Sequence, residues 1–106
     1  MEWTLVCPLN EIVPDTGVCA LLAGAQVAVF RVGSEDVFAI GNVDPHSGAA
    51  VLSRGLVGSI GNRIVVASPL YKQHFDLRSG ECIESSTHAV GSYRARVVNG
   101  QVWIAP

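Results

Sequence analysis

Two short stretches hold most of the side chains able to do chemistry. The first is Asn42-Val43-Asp44-Pro45-His46-Ser47-Gly48, and the second is Ser68-Pro69-Leu70-Tyr71-Lys72-Gln73-His74-Phe75-Asp76-Leu77. Between them they offer a carboxylate and an imidazole two residues apart, hydroxyls at Ser68 and Tyr71, and a second imidazole at His74. Asp and His at that spacing on a loop can share an ion, and zinc accepts carboxylate with imidazole. Asp44, His46, Tyr71 and His74 are therefore one candidate mononuclear set. The simpler reading is that Asp44, standing before Pro45, closes an Asx-turn on its own loop, with His46 and His74 as solvated side chains. Ser47, Ser53 and Ser68 are available as nucleophiles, but none lies in a GxSxG elbow. No glycine fingerprint sits between a strand and a helix, as nucleotide binding would require. His88 carries no signal above that of a surface residue. Three cysteines, Cys7, Cys19 and Cys82, stand at unrelated spacings without a CxxC. They read as reduced, partly buried apolar side chains of a cytosolic protein rather than a disulfide framework.

Both loops must be positioned by the short apolar runs that precede them, Val37 to Ile40 and Arg63 to Ala67. Similar runs recur along the chain. Trp3 to Cys7 is β-prone and stopped by Pro8. Asn10 is expected to cap one brief helical turn through Ile12, which Pro14 and Gly17 keep short. Val18 to Leu22 and Gln26 to Val32 flank Ala23-Gly24-Ala25 and read as a hairpin. Val27-Ala28-Val29-Phe30 is apolar on both faces, as in a strand inside a sheet. Gly33-Ser34-Glu35-Asp36 is a polar turn. Ala49 to Leu56 alternates weakly and is punctuated by Gly55, Gly58 and Gly61. Phe75-Asp76-Leu77 and Glu81-Cys82-Ile83 flank a tight turn at Arg78-Ser79-Gly80. Tyr93 to Val98 and Gln101 to Ile104 flank Asn99-Gly100, the pair that a type I′ turn prefers because both central residues take positive φ. In its first arm Tyr93, Ala95 and Val97 share one face, while Arg94 and Arg96 point to solvent.

No window shows a 3.6-residue apolar stripe, so the expected architecture is all-β, a small sandwich or barrel forming one domain over residues 1–106. A hydrophobic content of 49% in 106 residues suffices for one core. The net charge is −2 and the seven Lys and Arg residues are scattered, which argues against nucleic acid or an anionic membrane as partner. No apolar run approaches the roughly 20 residues that cross a bilayer. Met1-Glu2-Trp3-Thr4 lacks the features of a signal peptide.

On that frame the two loops resemble the ligand loops of Rieske domains, where Cys-x-His and, further on, Cys-x-x-His hold a [2Fe–2S] cluster. Laid over that pattern, Asp44 and Ser68 occupy the Cys places and Tyr71 a His place, while His46 matches. Phe75-Asp76-Leu77-Arg78-Ser79-Gly80 is similar to the F-D-x-x-T-G that follows the second ligand pair. Asn42-Val43-Asp44-Pro45, Ala50-Val51-Leu52-Ser53-Arg54-Gly55 and Ala67-Ser68-Pro69-Leu70-Tyr71-Lys72-Gln73 look like the small subunits of bacterial NAD(P)H-dependent nitrite reductases. So does Thr16-Gly17-Val18-Cys19-Ala20-Leu21-Leu22. That family tends to carry an aromatic residue at the place of His46, so His46 is read as a substitution there and not as a surviving ligand.

The donor chemistry points the same way. Thiolates hold the iron that imidazoles do not, a serine hydroxyl keeps its proton at neutral pH, and tyrosine ionises near pH 10. Asp44, His46, Ser68 and Tyr71 are thus expected to be degenerate ligand positions, with no cofactor in this chain. The resemblance implies a cytoplasmic, non-catalytic small subunit of an oxidoreductase. Its large partner subunit would carry FAD, siroheme and a [4Fe–4S] cluster and reduce nitrite to ammonia there. Two readings from other classes stand beside it, a Rieske-type ferredoxin carrying electrons and a stand-alone interaction domain. If the loop tips dock on a partner, Tyr71, Lys72, Phe75 and Arg54 supply the aromatic and basic types found at interface anchors. Otherwise the loops serve only to close the fold.

Overall fold

Two separate sheets, one containing Thr16 to Gly41 and the other Leu56 to Ala67, each deliver one of the two loops. The computed structural model describes residues 2–106, so that Met1 of the N-terminal stretch lies outside it. Its strands are β1 (Thr4–Pro8), β2 (Thr16–Leu22), β3 (Ala25–Val32), β4 (Asp36–Gly41), β5 (Leu56–Ile60), β6 (Arg63–Ala67), β7 (His74–Asp76), β8 (Ser92–Val98) and β9 (Gln101–Ala105). Six of them form one antiparallel sheet in the order β1-β9-β8-β4-β3-β2, and β5-β6-β7 form a second. The all-β expectation holds, and the larger sheet curls into a nearly closed, barrel-like Rieske-type fold.

The doubly apolar run behaves as its composition requires. β3 lies between β2 and β4, and successive residues enter different cores. Ala28 and Phe30 join Ile40, Leu52, Val66, Phe75, Leu77 and Cys82 in one cluster. Val27 and Val29 join Ile12, Leu22, Ala39, Val102 and Ile104 in the other. The period-two alternation of a strand thus divides one segment between two layers. Two of the three hairpins with two-residue turns have positive φ at each central position, at Ala23 and Gly24 and at Asn99 and Gly100. That is the type I′ geometry, whose twist matches the flanking strands.

Three local readings are corrected. The turn at Leu9–Glu11 is a 3-10 turn with Pro8 at its N-cap and no side-chain cap, so Asn10 lies inside it. The weakly alternating run is no strand up to Leu56. Leu52–Arg54 forms a 3-10 turn because the Leu52 side chain is fully buried in the first core. The strand begins instead at Leu56 and pairs with β6 through a turn at Gly61 and Asn62. The arm opposite β7 shrinks to a single bridge, Phe75 to Cys82. Gly55 marks where the 3-10 turn presses on β6: a Cβ there would lie 2.3 Å from the Ala67 carbonyl oxygen.

Candidate functional site

Both loops are built to the same plan, and a third repeats it. In the first, Asp44 N–H donates to the Ala49 carbonyl (2.8 Å), Gly48 N–H donates back to the Asp44 carbonyl (2.7 Å), and His46 N–H donates to Asp44 Oδ1 (2.8 Å). In the second, Ser68 N–H donates to the Gln73 carbonyl (2.8 Å), Lys72 N–H to the Ser68 carbonyl (3.0 Å), and Leu70 N–H reaches Ser68 Oγ at 3.4 Å. The turn after β7 does the same with Asp76, Arg78, Gly80 and Glu81. Each loop starts at an Asx- or Ser-type residue whose side chain accepts from the amide two residues on. Each has its fifth residue at positive φ: Gly48 (75°), Lys72 (59°) and Gly80 (79°). Lysine stands where the other two loops use glycine.

The first residues of the two tips meet. Ser68 Oγ–H donates to Asp44 Oδ2 in a short hydrogen bond. Asp44 is 0% and Ser68 1% exposed. Both carboxylate oxygens of Asp44 are thereby engaged, Oδ1 with its own loop and Oδ2 with the other. Around this pair stand three rings, His46 and Tyr71 exposed and His88 half-buried. His46 lies 4.0 Å from His88 and 6.2 Å from Tyr71 between ring centroids, tilted by 39° and 53°. Tyr71 is 63% exposed and Leu70 beside it 50%. His88 is held by Ser85 Oγ at 2.9 Å from its Nδ1. Lys72 and Arg54 are exposed, and among the described residues neither makes a side-chain hydrogen bond or an ion pair.

The structure therefore brings Asp44 to Ser68 and His46 to Tyr71, and leaves two sequence candidates elsewhere. His74 turns toward Glu84, with its Nδ1 2.5 Å from Glu84 Oε2. The mononuclear set of Asp44, His46, Tyr71 and His74 is not assembled, and no cluster of three or more His, Cys, Asp or Glu suited to an ion occurs among the described residues. Phe75 is fully buried, a member of the first core cluster with Phe30 and Val66. Its place as a docking residue is corrected: pairing of β7 with β6 sets Phe75 opposite the buried Val66, and the side chain packs into the core.

Sequence reasoning missed two residues. Asn42 is buried; its Oδ1 accepts from Ser53 N–H (2.7 Å), and its Nδ2 donates to Gln26 Oε1 (3.1 Å) and toward Cys19 Sγ (3.5 Å). It thereby ties the first loop to β2, β3 and the Leu52–Arg54 turn. A polar residue ending an apolar strand was the available signal. His88 reaches the site from a distant segment, and no local spacing could have announced it. The cysteines stay outside the loops, at Cys7 in β1, Cys19 in β2 and Cys82 against Phe75, each a free thiol. Burial, and then the nearby Glu11, push the Cys7 thiol up, which makes it less reactive.

The Rieske-like [2Fe–2S] domain family model matches residues 2–105. The nitrite reductase (NADH) small subunit of Salmonella typhimurium is 49% identical over 102 residues, covering 95% of this chain and 94% of that protein. The chain belongs to the nitrite reductase small-subunit family. The NMR structure of the E. coli protein NirD superposes with a TM-score of 0.91 at 46% identity, covering 99% of this chain and 96% of that one. A stretch of the NAD(P)H nitrite reductase large subunit of Klebsiella oxytoca is also 42% identical over 102 residues. It spans 96% of this chain and 11% of that longer protein.

The wider Rieske-like family is named for a [2Fe–2S] cluster, and the residues present here do not fit one. Asp44 and Ser68, at the two loop tips, are a carboxylate and a hydroxyl hydrogen-bonded to each other inside the protein. Tyr71 offers a phenol, and no thiol stands on either loop. A sulfide-bridged iron pair needs thiolates on one iron, and neither Asp44 nor Ser68 supplies one.

The third loop is secured by charge. Arg63 Nε donates to Asp76 Oδ2 and its Nη2 to Glu81 Oε1, both at 2.7 Å. Burial pushes the Asp76 carboxyl up. The Arg63 hydrogen bond and the amides of Arg78 and Ser79 outweigh this and hold it below the usual range.

Proposed function

We propose that this chain is the small, cofactor-free subunit of a cytosolic NADH-dependent nitrite reductase, and that it acts by binding the large subunit. Reducing nitrite to ammonia requires groups that store and deliver electrons, and protein side chains do neither. The FAD, siroheme and [4Fe–4S] cluster that would do this belong, in this reading, to the large subunit. The observation that carries the reading is the Klebsiella large subunit, which contains within its own chain a stretch 42% identical to this one. A domain joined covalently to a large subunit in one organism is well placed to bind it non-covalently in another.

The docking surface in this reading is the pair of loop tips. Tyr71, with His46, His88 and Leu70 beside it, offers flat rings and apolar surface; Lys72 adds positive charge from the same loop, and Arg54 is an exposed cation on the turn whose Ser53 amide is bonded to Asn42 of the first loop. Aromatic and basic residues of this kind make effective anchors. The complementary surface on the large subunit would present carboxylates around an apolar patch. Titration calorimetry against the purified large subunit tests this. Tyr71→Ala and Lys72→Glu together should weaken binding by about 1–3 kcal/mol, with circular dichroism unchanged. Gln101→Glu, beside the distant Asn99-Gly100 turn, should leave binding as it is. Wild-type affinity in the loop variants with loss in the control would place the docking face elsewhere.

A further inference from the structure

We propose that the buried Asp44–Ser68 pair is the joint that fixes the two loop tips into one docking surface, at the place where a metal cluster would otherwise join them. This rests on the reading of the tips as the large-subunit interface. The loops come from different sheets, the first after β4 of the six-stranded sheet and the second after β6 of the three-stranded one. Each closes its own backbone hydrogen bonds internally. Among the described residues, the Ser68 Oγ–H to Asp44 Oδ2 bond is the one hydrogen bond that passes between residues 44–49 and 68–73. Beside it the rings of His46 and Tyr71 face each other, and those two residues follow Asp44 by two and Ser68 by three. The orientation of the exposed rings therefore depends on this buried bond.

Its chemistry suits a fixed joint. Out of water, removing either partner leaves the other's polar atom unsatisfied, which costs more than the bond itself contributes. Asp44 also ties the joint to its own tip, since its other oxygen accepts the His46 amide. The carboxylate thus couples the position of the His46 backbone to the position of Ser68.

The experiment is a double-mutant cycle on the full chain with two readouts, hydrogen exchange and calorimetric affinity for the large subunit. Asp44→Ala, Ser68→Ala and the double variant should each weaken binding by about tenfold, and the double should be no worse than either single change. The amides of His46, Gly48, Leu70 and Lys72 should exchange faster in all three, while those of β3 and β9 do not. Asp44→Asn, whose amide still meets both Ser68 and the His46 N–H, should restore binding to within about threefold. If Asp44→Ala does not fold, Ser68→Ala and Asp44→Asn carry the comparison, since each changes a single polar atom or group. Loop exchange that stays slow in Ser68→Ala would overturn the joint. Faster loop exchange with unchanged affinity would overturn its control of docking. Failure of the wild-type chain to bind at all would instead remove the interface reading, and the exchange data would still decide whether the joint holds the tips.

Discussion

Lysine at the left-handed position of the second loop should lower stability, and replacing it tests both the loop geometry and its purpose. Lys72 sits at φ 59°, where the matching residues of the other two loops are Gly48 and Gly80. An L-residue in the left-handed region costs roughly 1–2 kcal/mol. Glycine avoids that cost but loses about 0.5–1 kcal/mol more chain entropy on folding. Lys72 is exposed and makes no ion pair among the described residues, so little else is lost with the side chain. Lys72→Gly should therefore stabilise the fold by about 0.5–1 kcal/mol, raising Tm by roughly 2–6 °C in a domain of this size. Urea denaturation followed by circular dichroism measures the change, and calorimetry against the large subunit should show weakened binding in the same variant. Lys72→Ala should leave stability near wild type and weaken binding similarly, because it keeps the backbone cost and removes only the charge. Gly48→Ala, whose Cβ would meet nothing within 4 Å, should destabilise by about 1 kcal/mol from φ alone. If Lys72→Gly destabilises the chain, or if Gly48→Ala is neutral, the three loops do not share one geometry and the reasoning fails.

Two further outcomes follow from the charge and thiol chemistry. Because the Asp76 carboxyl titrates below its unfolded value, the folded state resists protonation there. The stability it provides is complete above the unfolded carboxylate pKa of about 3.9 and is lost as pH falls through the folded value. Denaturation midpoints measured from pH 6 downward should drop more steeply below about pH 4 in wild type than in Asp76→Asn, and parallel curves would remove Asp76 from the account. With Cys7, Cys19 and Cys82 all free, reductant should leave Tm unchanged, since no cross-link restrains the unfolded chain; a large drop would reveal a disulfide.

Much of this arrangement is legible in the sequence where chemistry is local. Asn99-Gly100 names its turn because few other pairs tolerate two positive φ values, and Val27 to Phe30 names a central strand because both of its faces are apolar. The Asx-turn at Asp44 was readable from the following proline. What stayed hidden depends on the third dimension. Phe75 lies among polar loop residues and reads as exposed, yet β7 turns it into the core. Leu56–Ile60 breaks its alternation with Gly58 and Ser59, and only pairing with β6 makes it a strand. The Asp44–Ser68 bond crosses between two sheets, and His88 joins His46 from a segment with no pattern of its own. That Asp44 and Ser68 bring no thiolate is plain from residue types alone. That the two side chains bond to each other is not.

The most direct test of the central claim, that this chain serves as a metal-free partner of the large subunit, is titration calorimetry with the chain prepared free of iron. Chelator-treated protein, confirmed to lack iron and acid-labile sulfide, is titrated into the large subunit under anaerobic conditions. The account predicts saturable binding of the metal-free chain, unchanged by prior incubation with iron and sulfide. Binding that appears only after iron and sulfide are supplied would contradict it.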